Sequence, residues 1–588
     1  MNNEKLDTTL NLSLEVDENQ RLKSDILSNG YDEKTRTWEV IVKYHGESSV
    51  LIEESETADI LLNGYAIIRA TKEQLERLVI LDTVEFMELP KGLQYDVYRA
   101  KQESCILPVV SGITALSGKG VLIAVIDSGI DYLLSDFKDE NGSRILYLWD
   151  QTLEGDISNA GQFSIGTEFT KEEIDRAIAA ADMGNGRMDY SKAREWVPSV
   201  DVSGHGTAVT GIAAGSSVSP LYQGVAPQSS LIIVKLRGQR QNAPLTTDLM
   251  RGITYVIRKS LDLGMPVAIN LSIGDTYGAH DGTSLLEQYI DSVSGNGRNV
   301  ICIGAGNEAV ANGHISFVPY VQERIELSVA PGEKSTNVQI WKNYVDTCEI
   351  QLVAPNGERF VLDMQKIGMQ EWRMGNTQVL IYISPPKPYS VNEEVFFDFI
   401  ADEEYIDSGI WSFFITPVSS SQHDYHMFLP GTAVRNSATR FLEPTPELTM
   451  TIPAFARSAL TVGAYNTATG GYADFSGRDR VMGEEDRLFF ATKSKPDVVA
   501  PGVEIVAPSV RGGYESFSGT SFATPLVTGS AALLMEWGIV RGNDLFLYGE
   551  KVKAYLRKGA RPLKGDMLYP NPKTGWGALC LAESFIYQ

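Results

Sequence analysis

Cysteine is scarce in this chain of 588 residues. Its four cysteines, Cys105, Cys302, Cys348 and Cys580, lie far apart with no C-x-x-C pair. That spacing argues against a disulfide framework or a zinc site and for free buried thiols. Long hydrophobic runs are missing too, and none approaches the length that spans a bilayer. The opening Met1-Asn2-Asn3-Glu4-Lys5 leads into polar sequence without the apolar stretch of a secretory signal. The expected location is therefore inside a cell or spore, with no membrane partner. Basic charge is in deficit: 51 Lys and Arg against 75 Asp and Glu give a net charge of −24. This argues against nucleic acid or an anionic membrane as the main partner, and favours solubility and attraction of cationic partners. Internal repeats and low-complexity segments are absent.

What is present reads as a globular protein, 43% hydrophobic and 21% charged, long enough for about three or four domain-sized units. After a polar start, the alternating segment from Leu10 to Val16 reads as an edge strand or mobile arm. Strands are expected at residues 38–44, 65–70 and 83–90. Thr71 and Gln74 form a capping box that opens a helix with Leu75, Leu78 and Val79 on one face. That order suggests a small α+β unit of the split βαβ kind. From Gly118 the texture becomes α/β. Apolar runs at residues 121–126, 231–236, 267–271 and 300–303 read as buried parallel strands, with helices between them, as in a doubly wound sheet. Residues 152–200, with a helix expected from Thr170 to Ala181, lengthen one connection without an evident role. Between His314 and Thr449 roughly eight short strands separated by turns imply an inserted β-sandwich or jelly roll. The α/β rhythm resumes at Thr451.

The stretch Gly519-Thr520-Ser521-Phe522-Ala523-Thr524-Pro525 sets one serine at the start of an apolar helix, where unpaired N–H groups and the helix dipole favour negative charge. A serine needs a base and a group to orient that base. Asp127 stands at the end of the first buried strand, His205 lies between Gly204 and Gly206 before a small-residue helix, and Asn307 stands in Gly304-Ala305-Gly306-Asn307 after a buried strand. In these roles Ser521 attacks a carbonyl, His205 takes and returns its proton, and Asp127 fixes the imidazole. Asn307 and the N–H of Ser521 hold the oxyanion.

These motifs, with Asn270-Leu271-Ser272-Ile273-Gly274, Phe475-Ser476-Gly477-Arg478 and residues 495–502, resemble the subtilisin-like serine proteases over residues 107–312 and 452–577. The resemblance implies a catalytic triad of Asp127, His205 and Ser521. It also implies substrate-binding strands at Ser272, Ile273, Gly274 and at Gly304, Ala305, Gly306, acyl-enzyme chemistry on protein substrates, and no cofactor or metal. The expected organisation is a ferredoxin-like propeptide over residues 1–100, a subtilase domain over 101–313 and 451–588, and the β insert over 314–450. Self-cleavage is expected in the linker between Lys91 and Gln102. The whole is most similar to the Csp germination proteases of spore-forming clostridia. That likeness implies a retained propeptide, an insert that rigidifies the enzyme, and a cortex-hydrolase zymogen as substrate. The competing readings are a catalytically silent binding protein and a general degradative subtilase.

Other residues carry weaker patterns. His423 and His426 resemble a metal pair but read better as surface polar sequence, and Asp139-Glu140-Asn141-Gly142 reads as a turn rather than a calcium loop. Glu308 stands either as a carboxylate on the rim of the first pocket or as an exposed residue without a role.

Overall fold

The run at residues 121–126 forms strand Leu122–Asp127, and its side chains alternate between two cores. Ile123 and Val125 enter one, with the helices His205–Ala214 and Thr520–Met535. Leu122, Ala124 and Ile126 enter the other, with the helices Thr246–Leu263 and Leu285–Val293. Such double burial explains the uninterrupted apolar composition. The computed structural model describes residues 5–585 apart from 23–26, 29, 90–95, 113–114, 155–162, 164, 185–186, 218, 239–243, 389, 419–422, 481–493 and 567. The chain divides into two compact units, Met1–Gln94 and Tyr95–Gln588.

In the first unit, strands Thr37–Tyr44, Tyr65–Thr71, Thr57–Ile60 and Val84–Glu88 pair antiparallel, and helix Lys72–Val79 carries the Thr71/Gln74 capping box. The segment read as an edge strand or arm is instead a helix, Thr8–Glu15, capped by the Asp7 carboxylate. Its alternating leucines misled because Leu12 is 48% exposed, whereas Leu10 and Leu14, four apart on one helical face, are buried. The expected cleavage linker falls partly on residues 90–95, outside the described residues. The rest of it is helical, in Asp96–Glu103, with Ala100 and Lys101 buried in the second unit.

In the second unit, seven strands run parallel in the order Ile145–Asp150, Ser230–Lys235, Leu122–Asp127, Val267–Leu271, Asn299–Gly304, Leu460–Asn466, Val498–Pro501. Between Asn299–Gly304 and Leu460–Asn466 the chain leaves to form two antiparallel sheets of six and five strands. The two sheets share one core in which Phe397, Phe399, Trp411 and Phe413 meet edge to face.

Two expectations fail here. Cys105 and Cys580 are not free thiols but form a disulfide, with Cα atoms 4.7 Å apart across 475 positions. Their spacing could not reveal this, because the bond follows from the C-terminal segment docking on the end of helix Asp96–Glu103, where Leu581 N donates to Ser104 O. Cys302 and Cys348 are free and buried. Further, the helix Thr520–Val540 is long and apolar enough to cross a membrane by length and composition, yet 89% of its apolar window is buried inside the fold. It reads as the core helix of a sheet covered on both faces.

Candidate active site

Asp127 ends its strand 6% exposed. Its Oδ1 accepts the Ser128 N–H at 2.7 Å and lies 2.7 Å from His205 Nδ1. His205 begins its helix because Gly204 takes a left-handed conformation, φ 77°, that turns the chain into it. Gly206 permits the approach, since a Cβ there would sit 2.2 Å from Gly129 O. The Asp127 carboxylate raises the His205 pKa above its ordinary 6.5, against the lowering effect of burial.

Ser521 occupies the first turn of helix Thr520–Met535, as its motif predicts. A buried relay holds it. Thr528 Oγ1 donates to Asn270 Oδ1, Asn270 Nδ2 to Ser272 Oγ, and Ser272 Oγ to the Ser521 carbonyl at 3.0 Å. Ser521 Oγ lies 3.5 Å from Ser272 O and is hydrogen-bonded to neither His205 nor Asn307. Phe522 stands edge-on to the imidazole, ring centroids 5.4 Å apart. Asn307 Oδ1 accepts from Thr520 N at 3.0 Å, which leaves the amide nitrogen as donor on the side of Gly519. The structure thus joins His205 to Asp127, and Asn307 to the Ser521 helix start. Asp127, Ser128, His205, Ser272 and Ile273 line one cleft of about 650 Å³.

A profile of the Subtilase family matches residues 118–347 and 432–577. The chain belongs to the subtilase family. A profile of the Csp protease B prodomain matches residues 4–91. The solved structure of the Clostridium perfringens CspB protease is 33% identical, with a TM-score of 0.73, covering 83% of this chain and 96% of that one. The major intracellular serine protease of Bacillus subtilis is 27% identical over 240 residues, 41% of this chain and 59% of that protein. The PII-type proteinase of Lactococcus lactis is 22% identical over 74% of this chain, which spans 23% of its length.

Sequence reading missed two residues of this subtilase's site. Asp201, 4% exposed, accepts from Ser128 Oγ and Gly204 N through Oδ1 and from Thr207 N and Oγ1 through Oδ2. It therefore ties the Asp127 loop to the His205 helix. Its position three residues before Gly204 was the available signal, that of an acidic residue capping a turn. Thr451 fills the gap between Gly274 and Gly306: a Cβ on Gly274 would lie 2.2 Å from its Oγ1 and one on Gly306 2.5 Å. Nothing in sequence pairs it with them, because it follows the insert.

The other patterns resolve locally. Lys171 Nζ occupies the turn after Asp139, bound by Asn141 O, Ser143 O and Asp175 Oδ2 at 2.7–3.0 Å, so an ammonium sits where a calcium ion would. His423 contacts Asp346 while His426 Nδ1 lies 3.2 Å from His314 Nε2, so the two histidines do not converge. Glu308 is engaged by the insert, its carboxylate accepting from Thr432 N and Oγ1.

Proposed function

We propose that this subtilase is an active serine endopeptidase in which Ser521 is the nucleophile, His205 the general base and Asp127 its orienting carboxylate. Asn307 Nδ2 and the N–H of Ser521 stabilise the oxyanion. The observation that carries the reading is the 2.7 Å contact of His205 Nδ1 with Asp127, which leaves Nε2 to serve a serine at a helix start. In the first step Ser521 Oγ bonds to the substrate carbonyl carbon while its proton passes to His205 Nε2. The imidazolium is stabilised by Asp127 and returns that proton to the leaving amine. Water then attacks the acyl-enzyme with His205 again as base. The long Ser521 contacts fit a site that tightens when substrate binds. Ser272, Ile273 and Gly274 bind the substrate backbone as an added strand, opposite Gly304, Ala305 and Gly306, and Thr451 makes the floor between them shallow.

The prodomain match supports self-cleavage of an N-terminal propeptide. The likeness to Csp germination proteases supports a cortex-hydrolase zymogen as substrate, a retained propeptide, and a jelly-roll insert that stiffens the enzyme. The raised pKa of His205 fixes the pH response. The base is lost as pH falls through its pKa, so the acid limb of kcat/KM has its midpoint above 6.5, and Asp127→Asn moves that midpoint down. A midpoint at or below 6.5 in the parent contradicts the assignment.

A second reading, a catalytically silent binding protein, draws on the absence of a Ser521–His205 hydrogen bond. Expression of Ser521→Ala decides between them. The chain is expected to stay full-length, while the parent is processed and its Ser521 reacts with a fluorophosphonate. Processing of Ser521→Ala without another protease sinks the self-cleavage reading, and a processed but unreactive parent favours the silent one.

A further inference from the structure

Next to the catalytic cleft lies a second cavity of about 340 Å³, and exposed Val202 lines both. Its far wall comes from the long connection that had no assigned role. Helix Tyr190–Trp196 presents Tyr190 and Arg194, four residues apart and therefore on one face, and Ser199 follows. The opposite wall is the tip of the hairpin made by strands Ile505–Pro508 and Tyr514–Phe517, with Val510 and Arg511.

The charges of this cavity are arranged unequally. Two carboxylates line it, and both accept hydrogen bonds from within the fold. Asp131 accepts from Leu133 N, Tyr190 Oη and Arg511 N, and Asp201 accepts from Ser128 Oγ of the Asp127 loop and from Gly204 N, Thr207 N and Thr207 Oγ1 of the His205 loop. The guanidinium groups of Arg194 and Arg511 are exposed and take part in no hydrogen bond or ion pair among the described residues. Ser199 is 3% exposed, and its buried Oγ has no partner. Arg511 is also held at φ 66°, a left-handed position that glycine or asparagine would occupy at less cost, although Gly512 and Gly513 stand beside it. Two unpaired guanidiniums and an unsatisfied hydroxyl around one cavity, in a chain of net charge −24, make a donor-rich site for a carboxylate.

We propose that this cavity is an accessory subsite that takes an acidic side chain of the protein substrate, held by Arg194 and Arg511, while the scissile bond lies at Ser521. The proposal rests on the protease reading above. It gives the 152–200 connection a task, selection of substrates with an acidic residue at one fixed distance from the cut.

Internally quenched ten-residue peptides, in pairs that differ by Glu or Gln at a single position, test it on the self-processed full chain. At one position Glu is expected to raise kcat/KM about fivefold over Gln, the scale of an exposed ion pair. That ratio should fall toward one in Arg194→Gln and in Arg511→Gln, with cleavage of the Gln peptides unchanged, and should weaken as salt is added. Equal cleavage of every pair, or a preference that survives both substitutions, overturns the proposal. So does a chain without acid preference whose melting temperature rises with inorganic phosphate in the parent but not in the arginine variants, because the cavity then serves a free anion. Fluorophosphonate labelling of the same samples separates the two levels. A labelled enzyme indifferent to Glu contradicts this subsite alone, whereas an unlabelled one removes the protease reading and the subsite with it.

Discussion

The helices that carry His205 and Ser521 approach each other through small residues, while the insert that separates them in sequence is built around large ones. Helix His205–Ala214 reads HGTAVTGIAA, and the Ser521 helix packs on it so closely that a Cβ at Gly529 would lie 2.9 Å from Ala213 O. In the insert, Phe397, Phe399, Trp411 and Phe413 fill the space between two sheets. The difference has a functional reason. A catalytic constellation is fixed by backbone approach, which tolerates few residue types and therefore leaves motifs. A sandwich core needs hydrophobic volume of about the right total, which many sequences supply.

Three substitutions test how far the two regions are separate. Phe413→Ala, at a fully buried ring 5.2 Å from Phe397, is expected to cost about 3–5 kcal/mol in urea unfolding of the full chain. If Ser521 still reacts with a fluorophosphonate after the insert has unfolded, the site does not depend on it. Asn307→Ala is expected to lower kcat about 100- to 1,000-fold. Loss of its bond to Thr520 N should take only about 1 kcal/mol of stability. A stability loss as large as that of Phe413→Ala would make Asn307 a structural residue and break the contrast. Thr276→Val probes the joint itself, where Thr276 Oγ1 donates to Leu429 O at 2.8 Å, two residues beyond the segment 272–274 proposed to bind substrate. The expectation is about 1 kcal/mol and a rise in KM of at most about fivefold with kcat kept. An unchanged KM would show that the insert does not tune the cleft.

Legibility in the sequence followed the same division. Asp127, His205, Asn307 and Ser521 were readable because each sits at a strand end or helix start that its flanking glycines mark. The helices expected between the buried strands are found at residues 246–263 and 285–293, the second opened by a Ser284/Glu287 capping box. The leucines at 10, 12 and 14 fit two periods, and only burial of Leu10 and Leu14 against a sheet chose the helix. The cleavage linker was expected to be an exposed connection, but Ala100 and Lys101, in helix Asp96–Glu103, are buried within the second unit.

By itself the sequence determined which residues carry the proposed chemistry and on what elements they stand, because those requirements are local: a cap, a turn, a buried run. Tertiary structure alone decided what those residues meet. Asp201 bracing two loops, Thr451 between Gly274 and Gly306, the bond between Cys105 and Cys580, and two arginines beside one cavity all join segments whose separation in the chain carries no signal of contact. Such juxtapositions exist only once the sheet has closed around its insert, since they follow from packing and not from the properties of any one segment.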